Sequence, residues 1–166
     1  NRSTIARWIR LGVIPFPLLR ELNLKPSPTA LFKINKNSLP VLSNLILDDK
    51  FLCFLGLWLA DGCYDSNSII ISVGSPEEKL LVEEIAQRFN LPVKIHSDKF
   101  SSMLNSTSLK FVMKDILGLQ GDAFTKRVPS WIFNLSNEQI SSFLKGLFSG
   151  DGHAGKQEII LSLSSR

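Results

Sequence analysis

Asp61 and Asp151 occupy the same place in two similar stretches of the chain, 54–62 and 144–152. Each stretch is typical of the last turns of an apolar helix that ends in an acid and a glycine. Two carboxylates held close together repel each other unless a cation or a proton lies between them. Hard divalent cations such as Mg²⁺ prefer oxygen ligands and leave room for water and phosphate. The repeated pattern therefore favours a metal site over the plainer alternative, two helices that merely end at a solvated edge.

Small residues in the two predicted helices indicate how the aspartates could be brought together. Gly56 and Ala60 are four positions apart in the first helix, as are Gly146 and Gly150 in the second. This spacing places two small residues on one helical face, where another backbone can approach closely. We therefore expect the two helices to cross at these residues and to deliver Asp61 and Asp151 side by side.

The glycines that follow the aspartates are expected to end the helices. Gly62 and Gly152 stand where a helix often turns into the positive-φ region, which glycine adopts without penalty. Their backbone carbonyls are the predicted additional ligands of a Mg²⁺ or Mn²⁺ ion held by the two aspartates.

The stretches FLGLWLADG and LKGLFSGDG resemble the motif of the LAGLIDADG homing endonucleases, particularly the two-motif type carried inside inteins. A second likeness is the segment 124–132, FTKRVPSWI, which lies upstream of Asp151 where that family has a basic residue followed by proline. The resemblance covers about residues 38 to 163. It implies a metal-dependent, site-specific endonuclease that makes a double-strand cut with short 3′ overhangs, with Asp61, Asp151 and Lys126 as its catalytic residues.

The resemblance also implies an α+β fold with αββαββα repeats, saddle-shaped sheets and two central motif helices. Residues 48–135 then form the first half-domain, and residues 136–166 begin a second half that is incomplete. Residues 25–47 are the approach to the first motif, and residues 1–24 resemble part of a helix-turn-helix. We expect the complete two-motif protein to be monomeric; whether this chain cleaves by itself is left open.

Basic side chains are concentrated at the start of the chain. Residues 1–45 carry seven Lys or Arg and one acid, Glu21, a formal charge of +6, whereas the remaining twelve basic and fourteen acidic residues give −2. This distribution predicts that residues 1–45, called the leader below, attract a polyanion such as double-stranded DNA. The candidate DNA contacts are six basic residues: Arg2, Arg7, Arg10, Lys94, Lys99 and Arg127. The resemblance implies that strands of the saddle read the DNA groove, which makes Ser68, Ser72, Asn105 and Thr107, together with Lys94 and Lys99, candidate contacts; the face that they share depends on register.

Composition excludes some other classes of protein. No apolar run reaches the eighteen or so residues of a membrane span, and Cys53 and Cys63 are too few for a disulfide framework. The start of the chain shows neither an initiator methionine nor a signal peptide, which is typical of a fragment that opens within a longer protein. We expect a reducing, cytoplasmic setting in a prokaryotic or archaeal-type host.

Two alternatives stay open at this point. The same fold could bind nucleic acid without cleaving it, as a transcription regulator or an RNA intron maturase, although retention of both aspartates argues against this. A protein-splicing element is a third possibility, but a nucleophile at the start and a His-Asn pair at the end are both missing from the given sequence. His153, next to Asp151 and Gly152, could touch the water network of the site, or it could be a loop residue without a role.

Overall fold

The computed structural model describes residues 31–35, 37–42, 45–154 and 158–161, without the side chains of Phe32, His153, Ala154 and Ile159. The predicted helix-turn-helix segment, with Arg2, Arg7 and Arg10, lies outside these residues. The described part is α+β, as expected. Its helices are α1 (Asp49–Asp61), α2 (Pro76–Arg88), α3 (Thr107–Phe111, continued by a π-helical turn, Val112–Ile116), a 3₁₀ turn (Ser130–Asn134) and α4 (Asn137–Asp151). Its strands are β1 (Leu31–Phe32), β2 (Val41–Leu42), β3 (Gly62–Asp65), β4 (Ser68–Ser72), β5 (Val93–Ile95), β6 (Ser101–Asn105), β7 (Gly152–Ala154) and β8 (Ile159–Leu161).

Helix α1 is the centre of the described core. The sequence predicts either Asp48 or Asp49 as its cap, and the structure shows Asp48, which accepts a hydrogen bond from the Phe51 amide at 2.9 Å. From Phe51 to Leu59 every residue except Cys53 is buried, and Trp58 and Leu55 have no exposed surface. A helix that is apolar on all sides must be enclosed on all sides. Helices α2 and α4 and strands β3 and β4 provide that enclosure.

Four antiparallel strands form the main sheet in the order β3-β4-β6-β5. Ile69 pairs with Leu104 and Ile71 with Ser102, and these two isoleucines of β4 face the helices. The intervening residues Ser68, Ile70 and Ser72 face away from them, because successive side chains of a strand alternate between the two faces. This opposite side is called the outer face below. The order from α1 to α3 is α-β-β-α-β-β-α, as predicted for the first unit.

The second unit repeats the beginning of the first. A capping box at Ser136 and Gln139 starts α4, as a similar box at Ser75 and Glu78 starts α2. Helix α4 then passes directly into β7, which pairs with β8 as β3 pairs with β4.

Two local predictions differ from the structure. Helical spacing predicts that Leu80, Leu81, Ile85 and Phe89 face the core. Ile85 and Phe89 are buried there, but 57% of the Leu80 surface is exposed, and Val82 and Ala86 line the inner face of α2 instead. The closing helix predicted for 108–117 is α-helical only to Phe111 and continues as a π-helical turn before Gly118, whose φ is +73°. In the described residues no helix is long and apolar enough to cross a membrane.

Candidate functional site

Helices α1 and α4 are in backbone-to-backbone contact, which confirms the prediction from the glycine spacing. A Cβ atom placed on Gly56 would lie 2.8 Å from the Leu147 nitrogen and would collide with the Phe143 carbonyl. Reciprocally, a Cβ atom on Gly146 would lie 2.8 Å from the Leu57 nitrogen and would collide with the Cys53 carbonyl. Only glycine permits this approach at the two positions, because the obstacles are backbone atoms that cannot rotate away.

The crossing brings the two aspartates to one place. One turn beyond the closest contact, a Cβ atom on Gly150 would meet the Ala60 Cβ at 2.5 Å and the Asp61 Oδ2 at 2.6 Å. The Asp61 carboxylate therefore lies against the last turn of α4, immediately before Asp151. This arrangement is the one that the repeated motif predicted.

The electrostatic surroundings of Asp61 and Asp151 disfavour the ionised form of both carboxyls. Burial raises the pKa of Asp61, the Asp151 carboxylate raises it further, and Glu78 adds a smaller repulsion. Burial also raises the pKa of Asp151, whereas Lys126 acts against both increases. Both helices also end in an acid at the negative end of their dipole, which is unfavourable. The aspartates are thus positioned against their own electrostatic preference.

The glycines after the aspartates are required for a reason other than the one predicted. Gly62 has φ −96° and Gly152 has φ −91°, so both are extended and neither adopts the positive-φ stop. Instead, a Cβ atom on Gly62 would press on the Trp58 carbonyl at 2.5 Å, and one on Gly152 would collide with the Phe148 carbonyl. Each helix turns at once into a strand, and that turn leaves no room for a side chain.

Lys126 reaches the site from a loop and is only 6% exposed. Its Nζ donates hydrogen bonds to the carbonyls of Trp58 and Leu59, both at 3.1 Å. It also donates to the carbonyl of Ala60 at 3.4 Å and to that of Gly62. The ammonium lies 4.8 Å from the centre of the Trp58 ring. Lys126 is therefore a buried cation at the end of α1 and not a surface lysine.

The donor set of the site suits a hard divalent cation. Two carboxylates and the backbone carbonyls at the ends of the two helices offer oxygen ligands, and the repulsion between the carboxylates is what such a cation would relieve. Among the described residues there is no group of three or more His, Cys, Asp and Glu that could hold a metal ion. A cation would therefore need carbonyls such as those of Gly62 and Gly152, together with water or phosphate, to complete its coordination.

The other predicted contacts fall at several places. Lys94, Ser68, Ser72 and Asn105 share the outer face of the main sheet, since Lys94 pairs with Met103 and Ser68 with Asn105. Lys99 lies in the exposed β5–β6 turn at a φ of +66°. Arg127 is exposed beside Lys126, and Thr107 begins α3. The structure thus brings four of these side chains onto one surface and leaves the others apart from it.

Sequence reasoning missed a stack of side chains behind the site. Trp58 was expected to be core, and it is buried, but its ring also lies on Tyr64 with 4.4 Å between ring centres. The Lys110 ammonium lies 5.7 Å from the centre of the Tyr64 ring, and the Tyr64 hydroxyl donates a hydrogen bond to the Leu119 carbonyl. Tyr64 is the only tyrosine of the chain, yet its type and position alone give no indication of this contact.

Comparison with known proteins gives partial similarities. No model of a known protein family matches the chain. It is 27% identical over 149 residues to an uncharacterized protein of Methanocaldococcus jannaschii, which covers 82% of this chain and 17% of that protein. It is 28% identical over 120 residues to an iron-sulfur cluster assembly SufBD family protein of Mycobacterium leprae, covering 68% of this chain and 14% of that protein. It is 25% identical over 160 residues to the DNA polymerase II large subunit of Thermococcus kodakarensis, covering 90% of this chain and 9% of that protein. The chain thus spans less than a fifth of the length of each of these relatives.

Proposed function

We propose that the chain belongs to a LAGLIDADG-type homing endonuclease, inserted in a host protein as part of an intein, that cuts double-stranded DNA with the help of Mg²⁺ or Mn²⁺. The observation that carries this proposal is the pair of aspartates delivered by two repeated helices to one place. A pair of this kind has no evident value for stability, because burial and repulsion both disfavour its ionised form. Its retention is explained if a cation shared by the two carboxylates is needed for chemistry.

The order of elements supports the same proposal. The α-β-β-α-β-β-α unit from α1 to α3, followed by α4 and the β7–β8 pair, is the start of a two-motif arrangement. The outer face of the main sheet carries Ser72, Lys94 and Asn105, which can offer hydrogen-bond donors and acceptors to base edges and phosphates. Ser68 shares this face but is only 5% exposed, and its hydroxyl donates to the Asn105 side chain.

The comparisons support the intein setting. Similar segments occur in proteins whose names share no function, and each segment is a small part of its protein. A mobile insertion that moves between unrelated hosts would produce this distribution, whereas a catalytic domain of one host would not.

The cation and the residues that would hold it have separate roles in this proposal. A bound divalent cation supplies a more acidic water and neutralises charge that develops on the scissile phosphate. Asp61 and Asp151 would hold that cation as carboxylates, with the Gly62 and Gly152 carbonyls beside them. The tight helix crossing fixes the separation of the two acids before DNA binds, so no reorganisation is needed during the reaction.

Cleavage of a defined DNA tests the proposal. The complete protein that contains this chain is incubated with a duplex of the host gene from which the insertion is absent, with Mg²⁺, with Mn²⁺ or with EDTA. We expect metal-dependent double-strand cutting, and Asp61→Asn or Asp151→Asn should reduce it by more than about 100-fold or leave only nicking. Asp115→Asn is the matched control and should cut normally, because Asp115 is exposed and its charge is not among those that shift the pKa of Asp61 or Asp151.

Binding without cutting would contradict the proposal. If the wild type binds the duplex but never cuts it with either metal, the chain is a non-cleaving nucleic-acid-binding relative, either a regulator or an RNA maturase. An intron transcript used as a competitor then distinguishes these two.

A further inference from the structure

We propose that Lys126 is a positioning residue: its ammonium fixes the end of α1, so that Asp61 and the Gly62 carbonyl are presented to the cation, and it does not act on water itself. This inference rests on the proposed function. It differs from the expectation that a lysine in this position orients or activates the attacking water.

The first argument is the number of bonds that the ammonium can make. A protonated lysine has three N–H donors and no acceptor. Four carbonyls, from Trp58, Leu59, Ala60 and Gly62, lie within hydrogen-bond reach of Nζ. The donors are therefore committed to the backbone, and an ammonium has no lone pair with which to take a proton from water.

The second argument is what those carbonyls need. The last carbonyls of an α-helix have no partners within the helix, and they form its negative end. The Gly62 amide donates to the Trp58 carbonyl, as the Gly152 amide does to the Phe148 carbonyl in α4, and α1 then passes straight into β3, so no further helical turn covers the carbonyls that follow Trp58. A buried cation at this point satisfies several of them at once and fixes the path of the backbone on both sides of Asp61.

The third argument is that hydrogen bonds within the loop fix the backbone conformation at Lys126. The Lys126 amide donates to the Asp122 carbonyl at 3.0 Å, and the Asp122 side chain accepts from the Phe124 and Thr125 amides. Gly121 has φ +102°, and a Cβ atom there would lie 2.7 Å from the Lys126 nitrogen. The lysine thus enters from a rigid turn, as a positioning group must.

Helix α4 provides an internal comparison. It ends in the same Asp-Gly turn into a strand, with the Gly152 amide donating to the Phe148 carbonyl. Within the described residues, no lysine donates to the carbonyls of its last turn. Lys126 therefore distinguishes the end of α1 from the end of α4, although the two motifs match in sequence.

Three variants of the complete protein test the inference. Lys126→Met removes the ammonium and retains an unbranched side chain, and Lys126→Arg retains a cation. Lys50→Met is the control, because Lys50 lies at the opposite end of α1 from Asp61 and donates to the Glu84 carboxylate at 2.8 Å. Mn²⁺ affinity is measured without DNA by electron paramagnetic resonance of the free ion, and hydrogen exchange of the Gly62 amide is measured in parallel.

A positioning role predicts changes before any DNA is added. For Lys126→Met we expect Mn²⁺ affinity to fall by about 10-fold or more and the Gly62 amide to exchange faster. Lys126→Arg should recover part of both properties, and Lys50→Met should change neither. A lysine that only activates water predicts the opposite: unchanged Mn²⁺ affinity and unchanged exchange, with loss of cleavage alone.

A measurement on the wild type avoids dependence on the folding of a variant. The Lys126 ammonium should give a protected NMR signal with couplings through its hydrogen bonds to the backbone carbonyl carbons, and these should persist when Mg²⁺ is added. Loss of the couplings on Mg²⁺ addition would overturn the positioning role. So would a wild type and a Lys126→Met variant that bind Mn²⁺ equally, although the metal site would then stand. A wild type that binds no Mn²⁺ would instead remove the proposed metal site itself.

Discussion

At the scale of single residues, Asp61 and Asp151 are the side chains whose surroundings oppose their charge. Both carboxyls have a pKa above the usual range, with burial as the largest cause in each case. The folded protein therefore binds protons at a pH at which the unfolded chain has already lost them. It follows that the metal-free protein gains stability as the pH falls through these raised pKa values, and that the ionised pair weakens the fold above them.

Asp61→Asn is accordingly expected to stabilise the metal-free protein while it abolishes cleavage. The Asp61 carboxylate is partly desolvated, but the residue as a whole remains accessible to solvent. Screening should therefore keep the gain in the free energy of unfolding at pH 7.5 modest, about 0.5 to 1 kcal/mol, seen as a higher melting temperature by circular dichroism. The gain should shrink as the pH is lowered toward 5. Asp115→Asn is the control and should show no such pH dependence, and a melting temperature that falls at every pH would contradict the prediction.

A second expectation at this scale concerns added metal. If Mg²⁺ relieves the repulsion between the two carboxylates, it should raise the melting temperature of the wild type and leave that of Asp61→Asn nearly unchanged. The corresponding gain in the free energy of unfolding is expected to be about 1 to 3 kcal/mol at a metal concentration well above the dissociation constant. The same titration with Ca²⁺ would show whether the site distinguishes the two ions, and an equal increase in both proteins would place the metal elsewhere.

At the scale of elements, the crossing of α1 and α4 depends on two glycines and not on large side chains. Gly56 and Gly146 each lie against the backbone of the other helix, so the interface cannot adapt by changing a rotamer. The same contact sets the separation of the aspartates one turn later. Stability and site geometry thus depend on one interface.

Gly146→Ala tests this dependence. The added methyl would collide with the Cys53 carbonyl, so the helices must move apart, and we expect a loss of about 2 to 4 kcal/mol in the free energy of unfolding. Mn²⁺ affinity should fall with it, since the carboxylates separate. Urea denaturation followed by fluorescence measures the first effect.

The control for this experiment is Gly74→Ala. A Cβ atom there would meet only the Glu78 carboxylate at 3.6 Å, which is ordinary contact. This variant should lose less than about 1 kcal/mol and retain its metal affinity. If the two alanine variants behave alike, close backbone approach is not what holds the helices together.

At the scale of the whole molecule, charge is distributed unevenly along the chain. Residues 1–45 carry a formal charge of +6 and residues 46–166 a charge of −2. Association with DNA should therefore depend on the leader for its electrostatic part and on the main sheet for contacts to bases.

Neutralising the leader should change the salt dependence of DNA binding. If Arg2, Arg7 and Arg10 all contact phosphates, changing them to glutamine should reduce the slope of log K against log salt by up to about 3. A matched triple variant at Lys50, Lys79 and Lys114 has the same net charge and should change the slope much less. Fluorescence anisotropy of a labelled duplex at several salt concentrations measures both, and equal effects would show that only net charge matters.

The sequence by itself determined the features that depend on neighbouring residues. The start of α1 at Asp48, the capping boxes at Ser75 and Ser136, the two Asp-Gly ends and the small residues at spacing four all follow from local hydrogen bonds and helical periodicity. The repeat of that pattern was enough to predict that α1 and α4 pack together.

Only the tertiary structure decided which groups meet across the chain. Lys126 bonds to the Trp58 carbonyl 68 positions away, and register placed Ser68, Asn105 and Lys94 on one face of the sheet. It also showed that Gly62 and Gly152 are needed to avoid collisions and not for positive φ. The physical reason is that a lysine ammonium or a strand backbone can form its hydrogen bonds with many different partners. Packing of the whole core decides which of these partners lies close enough.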